Sequence, residues 1–245
     1  KKTKYKKIIS PPSFFYFLEK NKKKIKYIFH LGAITATTSL DFKKLLKNNL
    51  EFSIKILKFC TNNKIGFIYA SSASTYGDGS NGFNDNENYV YLNKLKPLNL
   101  YGRSKHFFDL CISEKIKKKK KLPVQCVGLK FFNVYGPRHL EEGPYATVIA
   151  IFERQKKEGK PLTVTGTGEK RRDFTHVYDI INGLYLMGKQ GSELKGEIFN
   201  FGTGTNYSIN EVAAMFNPVE IEYIPNRPGE AETTLADISF SKERL

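Results

Sequence analysis

The chain has 245 residues and a mass of 28.0 kDa; 40% of its residues are hydrophobic and 13% aromatic, enough to bury a core and too apolar for general disorder. No apolar run approaches the length of a membrane span. Three cysteines (Cys60, Cys111, Cys126) show no C-x-x-C spacing and four histidines (His30, His106, His139, His176) show no ligand spacing, so disulfides and a metal site are not expected and the setting reads as reducing and cytoplasmic. The net charge of +16 raises nucleic-acid binding as a possibility. The lysines, however, fall in local runs, KKTKYKK at the start and KIKKKKK at 115–121, without aromatic interleaving. They read as solvated surface, with no specific nucleic acid and no membrane as partner. A positive field also attracts an anionic small substrate.

In chain order, Pro11 and Pro12 precede SFFYFLEKNKKK, a short helix. KYIFHLGA (26–33) reads as a buried strand ending in a glycine turn. DFKKLLKNNLEFSIKILKFC (41–60) places Phe42, Leu46, Leu50, Ile54 and Leu57 at helical spacing. IGFIYASS (65–72) is a second buried strand, NDNENY (84–89) a polar loop, YGRSKHFFDLCISEKI (101–116) a helix and VQCVGLKFF (124–132) a third strand. Short apolar strands alternating with helices give a parallel sheet with crossover helices. After about residue 140 the rhythm changes: a helix (145–159), a strand (161–166), a polar loop, a strand-to-helix step in FTHVYDIINGLYLMG, a strand and turn (196–204), a helix opening on the capping box Ser208 and Glu211, and a last strand (219–225).

The stretch YASSASTYGDGSNG (69–82) contains G-x-G-x-x-G on Gly77, Gly79 and Gly82. A working phosphate loop follows a strand and opens a helix, whose N-terminus faces the pyrophosphate. Here FNDNENY comes next, a polar stretch with the acids Asp85 and Glu87, so the match is incidental. The serine half carries more. Ser72 ends a parallel strand, where α/β sheets bind ligands. Tyr101 and Lys105, four residues apart, share one helix face. An ammonium beside a phenol favours the phenolate and is expected to lower the tyrosine pKa toward working pH, making Tyr101 a general base on a sugar hydroxyl with Ser72 sharing the proton. Each part taken alone has an ordinary structural reading; the two together, on successive strand and helix units, make a Ser/Tyr/Lys set for alcohol–ketone chemistry.

With these residues in place the sequence resembles the extended short-chain dehydrogenase/reductase family, and within it NAD-dependent nucleotide-sugar epimerases and dehydratases. The resemblance rests on FHLGA (29–33), Asn49, SSASTYG (71–77), YGRSK (101–105), FFNVYGPR (131–138), RRDFTHVYD (171–179), NFGTG (200–204) and RPGEAE (227–232). It implies a Rossmann-like doubly wound parallel sheet (α/β) with a smaller C-terminal substrate-binding lobe. The NAD-binding domain would span 1–140 with about 173–201, and the nucleotide-sugar lobe 141–172 with 202–245. It implies Ser72, Tyr101 and Lys105 as the catalytic set; Leu31, Gly32, Ala33, Asn49, Ala70, Ser71, Tyr101, Lys105 and Phe132 at NAD; and Ser74, Asn133, Arg172, Arg227 and Glu230 at the nucleotide sugar. For Arg172 the rival reading is a solvent-facing loop pair with Arg171. A homodimer through the 41–60 and 101–116 helices is implied as well.

The family's first strand, glycine loop and early acidic residue have no counterpart here, so the chain is expected to be a fragment whose FHLGA strand is an unpaired hydrophobic sheet edge, binding NAD poorly and inactive alone. The absence of acids at Ala73-Ser74 favours epimerisation over dehydration. The first half looks like ADP-glyceromanno-heptose 6-epimerases, the second like UDP-sugar 4-epimerases. The heptose enzymes use a second base, a lysine shortly after NVYGPR, and Glu142 stands at that position, which favours a UDP-hexose 4-epimerase. A non-catalytic nucleotide-binding or RNA-associated relative and a reductase releasing NADH are the rival classes.

Overall fold

Gly66–Ser72 is apolar over nearly its whole length and buried at every position, the pattern of a strand covered on both faces. The computed structural model describes residues 5–86, 88–190, 193–217, 220–227 and 229–244. In it this strand, β2, lies inside a four-stranded parallel sheet with β1 (Tyr27–His30), β3 (Cys126–Phe131) and β8 (Lys195–Phe201), in the order β1-β2-β3-β8. The register sets Phe29 against Ile68 and Ser72 against Phe131, so every strand ends at the same edge. Helices cover both faces. On one side lie α1 (Phe14–Asn21), α2 (42–63) and α4 (Leu100–Lys117), where Leu18, Ile56, Leu57, Phe108 and Ile112 pack on Phe67, Tyr69 and Cys126. On the other lies α6 (Val177–Gln190), where Ile180 and Met187 meet Ile68, Val127, Leu129 and Phe199. The alternation of Phe67, Ile68 and Tyr69 between these clusters is the period-two signature of a strand with two buried faces. The doubly wound parallel sheet expected from the sequence is present.

α2 is one run of three helical segments: an α-helical turn, Phe42–Leu45, capped by the Asp41 side chain accepting from the Lys44 N–H; a π-helical stretch, Leu46–Glu51; and α-helix again, Phe52–Asn63. The loop after β2 does hold Gly77, Gly79 and Gly82 at positive φ, and no helix opens from it. A short helix, α3 (Tyr89–Leu92), occupies the end of the stretch read as polar loop; Asn88 caps it by accepting from the Val90 N–H. Glu87 lies outside the described residues.

Beyond residue 140, α5 (Val148–Lys157), β5 (Leu162–Thr165), α7 (Ile209–Ala214) and β10 (Ile221–Ile224) share a second apolar cluster of Phe152, Leu162, Val164, Ile209 and Val212. β5 pairs with β10 in parallel. The capping box of α7 forms as read, Ser208 and Glu211 each binding the other's backbone N–H. Two pairs of short strands join the regions: β4 (Val134–Tyr135) pairs with β7 (Thr175–His176), and β6 (Arg171–Arg172) pairs antiparallel with β9 (Tyr207–Ser208). α8 (Ser239–Arg244) closes the described chain. β1 is an edge strand, as expected, with Phe29 and the following Leu31 more than two-fifths exposed.

Candidate active site

Ser72 is the last residue of β2, and its Oγ accepts from the Ser74 N–H at 3.2 Å, closing a tight turn over Ala73–Tyr76. α4 approaches that turn from the side. Asn99 caps it by accepting from the Gly102 N–H at 2.8 Å, which puts Tyr101 in the first turn and Lys105 one turn further. The approach is close because residue 102 is glycine: a Cβ there would lie 2.6 Å from the Ser74 carbonyl oxygen. The Tyr101 phenol thereby lies beside Ser72, close enough for the serine hydroxyl to act on its ionisation. Ser72, Tyr101 and Lys105 are all buried.

The electrostatics differ from expectation in one respect. Tyr101 is pushed above the ordinary phenol range, mainly by burial and also by the Asp109 charge, with the Ser72 hydrogen bond pulling the other way. Lys105 is not among the causes, so the expected lowering by its ammonium is not present in this state, and burial sets the direction. Lys105 itself is drawn down to about 8 by burial, against the opposing pull of Asp109. His30, at the end of β1, falls to about 4, through burial first and the Lys105 charge second.

Two adjoining clefts open beside this set. One, of about 170 Å³, is lined by Ser72, Ser74, Asn99, Phe131 and Thr234. The other, of about 320 Å³, is lined by Tyr145, Thr163, Phe174, Ile209 and Arg227. Asn133, Arg172 and Glu230 border both. Arg172 is held by Glu230 at 3.4 Å and donates to the backbone carbonyls of Arg171 and Glu232. It is therefore a mostly buried cleft residue rather than a solvent-facing loop arginine, whereas Arg171 turns away to Glu211 and Asn206. Asn133 donates to the Asp173 carbonyl at 3.0 Å from a backbone with φ of 21°. All five residues expected at the nucleotide sugar, Ser74, Asn133, Arg172, Arg227 and Glu230, thus line one or both of these adjoining clefts.

The residues expected at NAD divide. Leu31 is exposed, Ala33 half-buried, and a Cβ on Gly32 would meet nothing within 4 Å, so the end of β1 is open. Asn49 serves the fold: its side chain accepts from the Ile34 N–H and donates to the Ile34 carbonyl and to Ser104. Ala70 and Ser71 are buried, with the Ser71 hydroxyl given to Asp109. Phe132 has its side chain in the core. It is fully enclosed against Tyr76 and Phe83, and because side chains alternate at a strand end it is Phe131 that faces the cleft. Sequence reading also missed Asp109, Lys130 and Thr75, which lie beneath the site. For Asp109 a signal existed, since it stands four residues after Lys105 and eight after Tyr101, on the same helix face.

A tyrosine and a lysine one helical turn apart, meeting a serine at the carboxyl edge of a doubly wound sheet, define the short-chain dehydrogenase/reductase class. The sequence matches the NAD dependent epimerase/dehydratase family over residues 15–202, well over half of its length, and the chain belongs to that family. Among curated relatives, the ADP-L-glycero-D-manno-heptose-6-epimerase of Brachyspira hyodysenteriae is 38% identical over 211 residues, 83% of this chain and 63% of the relative. The chain spans about three-fifths of the length of the curated relatives it matches. Among solved structures, the UDP-N-acetylglucosamine 4-epimerase from Methanobrevibacter ruminantium, in complex with UDP-N-acetylmuramic acid, superposes with a TM-score of 0.80 at 29% identity, covering 92% of this chain and 72% of that one. The UDP-glucuronic acid 4-epimerase from Bacillus cereus, in complex with UDP-glucuronic acid and NAD, gives 0.78 at 28% identity, covering 93% and 71%.

Proposed function

We propose that the protein epimerises a nucleotide-diphosphate sugar, a UDP-hexose at carbon 4, by oxidising a sugar hydroxyl and returning hydrogen to the other face of the ketone. The observation that carries this reading is Ser72 beside Tyr101 and Lys105, at the mouth of two adjoining clefts that Arg172, Arg227 and Glu230 line. NAD, which Leu31–Ala33 at the open end of β1 would carry, would supply reversible hydride acceptance. Tyr101 takes the hydroxyl proton, Ser72 holds the oxygen it leaves, and Lys105 stands one helical turn beyond Tyr101. Arg172 and Arg227 hold the diphosphate through directional charge-assisted bonds, and Glu230 accepts from ribose.

The choice of sugar rests on Glu142. Its carboxylate is largely exposed and pairs with Arg154 at 3.2 Å, outside both clefts. A second base at this position, the lysine of the heptose enzymes, has no substitute here, which supports chemistry at a ring carbon. The rival reading, epimerisation of an ADP-heptose, is supported by the 38% identity to the Brachyspira relative. On either reading the residues 141–172 and 202–245 would form the sugar-nucleotide lobe against 1–140 and 173–201. A homodimer would form through α2 and α4, whose Phe42 and exposed Phe107 lie 6.3 Å apart.

The test is a thermal-shift titration with UDP and, separately, ADP. UDP is expected to raise the midpoint at concentrations where ADP does not. Stabilisation by ADP alone would transfer the reading to the heptose substrate, and stabilisation by neither would overturn a nucleotide-sugar site.

A further inference from the structure

Lys130, on β3, is a lysine with a 1% exposed side chain, and Asp109, on α4, has a carboxylate with none exposed; their charges stand 3.5 Å apart. Burying an ion pair is costly, and an apolar pair of similar volume is often as stable or more so. Stability alone is therefore a weak reason for its presence. Its surroundings supply another. Asp109 accepts from Ser71 at 2.7 Å and from Tyr69 at 3.1 Å. Lys130 donates to Thr75 Oγ1 at 2.7 Å, and its ammonium lies 4.1 Å from the centre of the Tyr76 ring. Thr75 spends its single hydroxyl hydrogen on the Ser72 carbonyl at 2.8 Å, so the order of donation is fixed from Lys130 through Thr75 to Ser72. The pair thus ties the residue before Ser72 and the residue three after it, while its acid shares a helix face with Tyr101 and Lys105.

We propose that the buried Asp109–Lys130 pair is a positioning device for the catalytic set: Asp109 carries the countercharge for Lys105, and Lys130, through Thr75, fixes the backbone of Ser72. The proposal rests on the epimerase reading only in taking Tyr101 and Lys105 as catalytic. Around Lys105 the titratable groups are Asp109 and Tyr101 on its own helix and His30 on β1. Around Asp109 they are Tyr69 on β2, Lys130 on β3, and Tyr101, Lys105 and His106 on α4, with Tyr76 in the turn after β2. Among these, Asp109 is the one that opposes the loss of the Lys105 proton.

The experiment reads Lys105 directly, by the pH titration of its 13Cε resonance in the full chain, assigned with Lys105→Arg. Asp109→Asn is expected to move the midpoint from about 8 to lower pH by roughly one unit. If that variant does not fold, the double variant Asp109→Asn/Lys130→Met removes both charges of the buried pair and leaves Lys130 no charge to strand. The double variant is expected to show the same downward move, because Lys130 is not among the charges acting on Lys105. Lys130→Met is read by amide exchange at Ser74, whose N–H is held by Ser72 Oγ, and should speed it by about tenfold, whereas Lys130→Arg should restore it. An unchanged Lys105 midpoint in the Asp109 variants, or unchanged exchange at Ser74, overturns the proposal. UDP binding, measured in parallel, reports separately on the nucleotide-sugar reading, so either can fail without the other.

Discussion

At the scale of the residue, His30 shows how burial dictates chemistry. Its Nε2 lies 2.7 Å from Ser53 Oγ, and Ser53 gives its own hydrogen to the Asn49 carbonyl. The imidazole must therefore donate from Nε2 and is neutral. Its pKa falls from 6.5 to about 4 in the fold, so between those values the unfolded chain binds the extra proton. The stability contributed by neutral His30 is complete above pH 6.5 and is lost as pH falls toward 4. The loss amounts to about 3 kcal/mol over the window. His30→Gln is expected to flatten this part of the acid-unfolding profile, as denaturant melts at pH 4.5 and 7 would measure. Sequence alone marked His30 only as a histidine without metal-ligand spacing. Its partner Ser53 is 23 residues away, and no local pattern announces a contact of that span. Ser72, Tyr101 and Lys105 were legible because their chemistry follows from residue type and position on one strand end and one helix face.

At the scale of the element, α4 depends on Asn99. The side chain accepts from the Gly102 N–H and donates from Nδ2 to the Gly229 carbonyl at 3.1 Å, linking the start of the catalytic helix to the loop that carries Arg227 and Glu230. The two bonds can be separated. Asn99→Ala should cost about 1 kcal/mol of stability, the usual worth of a cap. Asn99→Asp keeps the cap and loses the donor, so stability should hold while UDP affinity falls several-fold; calorimetric melting and a binding isotherm on both variants measure this. The helices were readable from spacing, but the π-helical stretch of α2 was not. Its centre is Asn49, whose amide is taken by Ile34 and Ser104, and a turn widened to satisfy tertiary partners has no signature in hydrophobic period. α3 was missed for a related reason: Asn88 caps four residues whose apolar content is too short to show a period.

At the scale of the molecule, Asp173 holds distant stretches together. Its carboxylate accepts from the Thr203 N–H and hydroxyl and from the Gly204 and Ala236 N–H groups. It thus joins the segment after β6, the turn after β8 and the approach to α8. Asp173→Ala strands several donors in a buried place at once and is expected to cost about 3 kcal/mol or more, read as a lowered urea midpoint. The sheet order could be foreseen from alternating strands and helices. The two adjoining clefts could be foreseen only as a list of residues, because their walls come from loops separated by more than 150 positions, as Ser72 and Glu230 are.

The parallel sheet also gives the molecule a front and a back. All four strands end toward Ser72, and they begin near Lys64, Lys121 and Lys195, which with Lys119 and Lys120 surround a shallow depression on the opposite rim. This lysine cluster and the cleft therefore lie at opposite ends of the strands. On an anionic bead or a cation-exchange surface the protein will sit on its lysine pole with the cleft turned to the liquid, an orientation set by strand direction and released by salt.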